Sequence, residues 1–273
     1  MYELSSQNIV IAFSLTMLAG LSTGIGSAIS FFAKRTNTKI LSFSLGFSAG
    51  VMIYVSFIEL FIKAKDTLIG ELGSVGGNSA AVTSFFFGII FIGIIDRLVP
   101  SFENPHEIHR IEEMAVNLKD SENKRLLRMG MLSAFAIGIH NFPEGIATFI
   151  AGLKDTGLGL SIAIAIAIHN IPEGIAVSIP IFYATGNKKK ALWYSTLSGL
   201  SEPFGAMIGF IVLMRFLNDF IFGFLFSFIA GIMVFVALDE LLPTAHEYGE
   251  HHLCIYGLVL GMAVMAISLL IFG

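Results

Sequence analysis

One short phrase is written twice in this chain. Residues 140–147 read HNFPEGIA and residues 169–176 read HNIPEGIA, each inside a stretch that is otherwise almost wholly apolar. In a helix, His140 and Glu144 are four residues apart and share one face, and so do His169 and Glu173. Asn141 and Asn170 lie about 100° round the helix, beside that face. Imidazole, carboxylate and amide without thiolate form a donor set suited to Zn²⁺, Fe²⁺, Mn²⁺, Co²⁺ or Cd²⁺ rather than Cu⁺ or Ca²⁺.

The cost of such a phrase argues that it does chemistry. An acidic side chain at mid-membrane costs about 2.5–3.5 kcal/mol on insertion scales, and two that face each other also repel. A divalent cation between them removes both penalties. If a pseudo-two-fold axis runs between the two segments, one ion takes His140, Glu144, His169 and Glu173 together. A second ion beside it uses Asn141, Asn170 and the other oxygens of the same carboxylates. A hydrogen-bonded core role accounts for one such residue; it does not account for His, Asn, Pro and Glu duplicated in register. Pro143 and Pro172 cannot donate backbone hydrogen bonds, which frees the carbonyls of Ile139 and Ile168. Membrane helices tolerate that where the freed groups face protein, water or an ion.

Other ionisable residues are ranked around this centre. Glu202, in SGLSEPFGAM, is a third carboxylate deep in an apolar segment and is assigned to the metal site. His246, Glu247 and His251, with His252 beside them, crowd one end of the chain's last two apolar segments and are expected to form a cytoplasmic exit site. Glu59, Asp239 and Glu240 sit near segment ends, where they either reach the interface or line a path. His106 and His109 are expected to be solvated.

The elements that must position these groups are membrane helices. Of 273 residues, 55% are hydrophobic and 13% charged, and the mean hydropathy is +0.81, outside the range of ordinary soluble domains. Runs of spanning length fall at 8–33, 40–62, 72–95, 129–153, 156–185, 191–214, 220–238 and 253–273. The expectation is an all-α integral membrane protein of eight transmembrane helices forming a single polytopic domain over residues 1–273. The first run is read as an uncleaved span, because no Lys or Arg precedes it and no small-residue cleavage site follows. The one polar connection of any length, residues 96–128, is expected to be a cytoplasmic loop with a short amphipathic helix over 108–118. Cys254 is alone, so no intramolecular disulfide supports the fold. A net charge of −4 spread over loops gives no reason to expect nucleic acid.

Orientation follows from the basic residues. Lys34, Arg35, Lys39, Arg97, Arg110, Lys119, Lys124, Arg125, Arg128, Lys188, Lys189 and Lys190 fall in alternate loops on one side; only Lys63, Lys65, Lys154 and Arg215 fall on the other. Both termini are therefore expected outside the cell membrane. AGVMIYVSFIEL (49–60) matches AGIMVFVALDEL (230–241) at six of twelve positions, and LAGLSTGIGSAI (18–29) matches LSGLSEPFGAMI (197–208) at another six, with Thr23 in the place of Glu202. Helices one to three thus resemble helices six to eight. Because helix one enters from outside and helix six from inside, the repeat is inverted, with helices four and five between its halves. Helix three shows no defensible match to helix eight. An inverted repeat around polar, broken helices is the pattern of a secondary transporter with a midplane site.

At HNFPEGIA, HNIPEGIA and GLSEPFGA the sequence resembles the ZIP (Zrt/Irt-like) family of divalent metal transporters, and the likeness runs through ALDELLPTAHEYG over essentially the whole chain. The resemblance implies uptake of Zn²⁺, and of Fe²⁺, Mn²⁺, Co²⁺ or Cd²⁺, into the cytoplasm through a binuclear centre. It assigns His140, Glu144, His169 and Glu173 to one site and Asn141, Glu144, Asn170, Glu173 and Glu202 to the other. It implies movement of helices one, four, five and six against the rest, a homodimer, and no catalytic cofactor. Two other classes compete. An intramembrane zinc hydrolase needs an open coordination position and a base, often in HExxH, which is absent here. A proton or sodium carrier would titrate the same carboxylates instead of binding metal.

Overall fold

The protein is described by a computed structural model covering residues 5–31, 38–98, 120–216, 218–247 and 251–272. Among these residues every regular element is helical. They are α1 (Ser6–Ser30), α2 (Thr38–Tyr54), α3 (Phe61–Leu98), α4 (Asp120–Lys154), α5 (Thr156–Thr185), α6 (Lys188–Gly199), α7 (Ser201–Ile208), α8 (Asp219–Val236), α9 (Leu242–Glu247) and α10 (His251–Phe272). Wider π-helical turns at Val55–Leu60, Gly209–Leu213 and Ala237–Leu241 interrupt this order. Among the described residues six helical stretches are long and apolar enough to cross a membrane: Ser6–Ser30, Ser42–Arg97, Thr156–Thr185, Lys188–Leu213, Asp219–Leu241 and His251–Ile271. The chain is a multi-pass membrane protein.

Side chains of short polar loops cap the starts of three of these helices. Asp155 Oδ1 accepts the Leu158 amide at 2.8 Å and starts α5, Asn187 Oδ1 accepts from Lys190 at 3.1 Å and starts α6, and Asn218 Oδ1 accepts from Ile221 at 2.8 Å and starts α8. Gly186, at φ +63°, closes α5 in the left-handed conformation that glycine adopts without strain.

The stretch Ser42–Arg97 is 56 residues long, far beyond the roughly 20 that one span needs. Gly73, at φ +73° and ψ 172°, lies inside it. The backbone of Leu68 and Ile69 packs directly on Gly77, whereas a straight helix would separate Ile69 from Gly77 by about 12 Å. The chain therefore turns back on itself at Gly73.

The expected span 191–214 is split at Leu200 into α6 and α7. Pro203 cannot donate to the Gly199 carbonyl. Ser198 and Ser201 donate their hydroxyls to the carbonyls of Ser195 and Ser198, at 2.8 and 2.6 Å, and so compete with the ladder at this point. By contrast α4 and α5 run unbroken through Pro143 and Pro172. The polar connection is shorter than expected, because α3 reaches Leu98 and α4 begins at Asp120. His106, His109 and the helix expected over 108–118 lie outside the described residues.

Two groups of helices pack side by side. α5 lies against α1, α4 and α6, and α4 lies against α7; in the other group α2 pairs with α10 and α3 with α8. Their closest crossings are glycines laid on carbonyls, which lets backbones approach without side chains between them. These approaches come in matched sets. Gly145 meets the Glu202 carbonyl and Gly174 that of Thr23; Gly205 meets Phe142 and Gly26 meets Ile171. Gly231 meets Phe85 and Gly50 meets Leu258, while Gly88 meets Phe228 and Gly261 meets Phe47. Gly20 and Gly199 meet each other's carbonyls. The sets extend to α3 and α10, whose sequences share no stretch that would pair them.

Candidate metal centre

The two copies of the phrase face each other across the contact of α4 with α5. His140, Asn141, Glu144, His169, Asn170, Glu173 and Glu202 are all buried, with exposures between 0 and 4%. The imidazoles do not serve the carboxylates of their own helices. His140 Nε2 donates to Glu173 Oε1 at 3.1 Å, and His169 Nε2 donates to Glu144 Oε2 at 3.2 Å. The spacing of four residues puts His and Glu on one face, as expected, and the antiparallel arrangement then presents each His to the Glu of the other copy. Two reciprocal pairs result.

Glu202 joins them from the first turn of α7. Asn170 Nδ2 donates to one of its carboxylate oxygens and also to the Ala19 carbonyl of α1, the latter at 3.0 Å. Glu202 lies two residues past Leu200, where α6 gives way to α7. The involvement of α1 carries no sequence signal, since a backbone carbonyl does the work. Ser195 Oγ lies 3.1 Å from the Thr23 carbonyl and 3.2 Å from the Gly174 carbonyl, and so ties α6 to both α1 and α5.

Polar capacity remains unused around the centre. Both amide atoms of Asn141, Oδ1 of Asn170, Nδ1 of His169, Oε2 of Glu202 and Oγ1 of Thr23 are buried with no hydrogen-bond partner. Leaving such a group unsatisfied costs about 1–3 kcal/mol, so a cluster of them asks for a ligand. Among the described residues no three His, Cys, Asp or Glu side chains are grouped as they would be around an ion; each imidazole is turned onto a carboxylate. The same nitrogens and oxygens that make these pairs are the donors an ion would take, so binding replaces the pairs rather than adding to them.

The other expected residues divide. His246 and His251 come together, with their Nδ1 atoms 3.1 Å apart and their rings stacked at 4.7 Å, both exposed; His252 lies 5.5 Å from His251. The Glu247 side chain lies outside the described residues. Glu240 is buried and Asp239 exposed. Glu59 is buried, with Lys63 Nζ 3.8 Å from its carboxylate. Glu59 and Glu240 both lie in π-helical turns, Val55–Leu60 and Ala237–Leu241, a feature the sequence does not signal. An apolar cavity of about 780 Å³ opens between α3, α4, α6, α7 and α8, with Phe91, Phe142, Tyr194 and Phe228 in its walls.

Comparison with known proteins identifies the family. The family model described as ZIP Zinc transporter matches residues 8–269. The chain is 60% identical over 267 residues to a protein named Zinc transporter ZupT from Streptococcus mutans, covering 98% of this chain and 99% of that one. It is 60% identical over 267 residues to the protein of the same name from Chlorobaculum parvum, with the same coverage. A third of that name, from Clostridium perfringens, is 58% identical over 276 residues and 97% of each chain. Matches of this extent, on a chain whose buried imidazoles and carboxylates form the centre described above, show that the chain belongs to the ZIP family of zinc transporters.

Proposed function

We propose that the protein carries divalent transition-metal ions, zinc foremost, across the cell membrane into the cytoplasm through a binuclear site between α4, α5 and α7. It is a transporter and not an enzyme. The observation that carries this reading is the reciprocal pairing of His140 with Glu173 and His169 with Glu144. An ion that displaces the two bonds finds two imidazole nitrogens and two carboxylates from opposite sides. The second ion takes Asn141, Asn170, Glu202 and the remaining carboxylate oxygens. Fe²⁺, Mn²⁺, Co²⁺ and Cd²⁺ fit the same donors.

The proposed topology has eight spans. Ser42–Arg97 counts as two because of the turn at Gly73, and α4 adds one more to the six stretches. The matched glycine approaches support an inverted repeat, with Gly20 and Gly199 at its axis. Such a repeat lets one central site open to either side in turn. The bias of Lys and Arg supports termini outside and, with them, a cytoplasmic position for the His246 and His251 pair as an exit site. The family likeness supports assembly as a homodimer.

Metal flux into proteoliposomes tests the function. Parent protein accumulates zinc; Glu144→Ala combined with Glu173→Ala abolishes accumulation. Equal flux from the double variant refutes the reading. Transport of protons or sodium without any bound transition metal would favour the carrier alternative.

A further inference from the structure

The central site is built in near-duplicate, and one residue breaks the duplication. Glu202 and Thr23 hold matching places: each sits in the same register of the repeated stretch LSGLSEPFGAMI or LAGLSTGIGSAI. Each also gives its backbone carbonyl to a glycine of the repeated phrase, Glu202 to Gly145 and Thr23 to Gly174. Glu202 is engaged by Asn170. The counterparts of that pair are Thr23 and Asn141, and here nothing is engaged: Thr23 Oγ1 and both amide atoms of Asn141 are without a hydrogen-bond partner, although both residues are 0% exposed. Thr23 is on α1, which packs against α4, the helix carrying Asn141. Its side chain lies over Gly199, where α1 crosses α6, and only a glycine leaves room for it.

An orphaned hydroxyl and an orphaned amide at matching places to an engaged carboxylate and amide point to a ligand that completes both. We propose that Thr23 is a further oxygen donor of the outer metal site, opposite Glu202, holding the ion through its hydroxyl together with Asn141. This rests on the binuclear reading above. The chemistry gives the difference between the two halves a purpose. A second carboxylate at position 23 would add a negative charge and hold a divalent ion too firmly for release. A neutral hydroxyl completes the oxygen shell and leaves one side of the site weaker, so the ion is released more readily.

The test compares zinc-binding isotherms of purified full-length protein in detergent for the parent, Thr23→Val, Thr23→Ser and Glu202→Gln. Thr23→Val keeps shape and removes the hydroxyl; Thr23→Ser keeps the hydroxyl. The parent binds two ions. Thr23→Val weakens the second ion by about tenfold, the effect of losing roughly one donor bond, and leaves the first unchanged. Thr23→Ser restores it, which a purely structural role for the methyl group would not predict. Thr23→Val binding both ions as the parent does, while Glu202→Gln loses the second, overturns the role of Thr23 alone. If Glu202→Gln also binds both ions unchanged, the binuclear reading falls with it.

Discussion

At the scale of single residues, the centre is a set of exchangeable partners. His140 and His169 each direct a ring N–H at a carboxylate on the neighbouring helix. A metal ion needs the imidazole lone pair and the carboxylate oxygens, so protons and ions compete for the same atoms. Zinc affinity is therefore expected to fall as pH is lowered from neutral to acid, which isotherms at both pH values will show; equal affinity would mean that these nitrogens are not ligands. The two asparagines differ in their partners. Asn170 holds the Ala19 carbonyl and Glu202 together, whereas Asn141 makes no bond. Asn170→Ala is expected to destabilise the metal-free protein by about 1–3 kcal/mol, and Asn141→Ala by much less than that. Thermal unfolding in detergent with chelator present distinguishes the two. Each His and Glu of the centre is legible in the sequence, because an ionisable residue in an apolar run has no ordinary explanation. The crossed pairing is not legible, because spacing along one helix says nothing of which neighbour a side chain meets.

At the scale of helices, contact depends on the absence of side chains. Gly145 on the Glu202 carbonyl and Gly174 on the Thr23 carbonyl leave no room for a Cβ. Gly145→Val and Gly174→Val are expected to lose about 1–3 kcal/mol each through overpacking, and to do so to a similar degree because the two crossings correspond. Gly70 has open space around it, so Gly70→Ala is the control and is expected to leave stability equal or slightly higher. Melting curves of the three variants read this directly. Helix positions follow from hydropathy along the sequence. The break at Leu200 does not, since Pro203 interrupts α6 and α7 while Pro143 and Pro172 leave α4 and α5 continuous. Proline removes a bond in every case; neighbours and serine hydroxyls decide whether the helix parts.

At the scale of the whole molecule, the bias of Lys and Arg toward alternate loops predicts which side of the membrane each loop faces. Lys189, in the first turn of α6, and Asp155, between α4 and α5, are both exposed and lie beyond opposite ends of α5. In a Cys254→Ser background, Lys189→Cys is expected to react with an impermeant thiol reagent only after the cells are opened, and Asp155→Cys in intact cells. The reverse pattern would invert the topology. The two helix groups meet where α5 packs on α2 and α10 and where α4 touches α8, and the 780 Å³ cavity lies beside the second of these contacts.

Hydropathy and spacing alone identify an all-helical membrane protein and the residues of its polar centre, and they suggest a repeat through the likeness of 18–29 to 197–208 and of 49–60 to 230–241. Those properties follow from local chemistry: hydropathy, spacing and the cost of charge in hydrocarbon act residue by residue. A boundary between two apolar runs is expected over residues 63–71, and the backbone turns slightly later, at Gly73, inside the run expected to start at Leu72. Only the tertiary structure decided that His140 serves Glu173 and His169 serves Glu144, that Asn170 reaches a carbonyl of α1, and that α3 and α10 make matching crossings without matching sequences. The physical reason is common to all three. They depend on the antiparallel register of helices and on backbone carbonyls, which every residue type carries alike and which therefore leave no mark in the sequence.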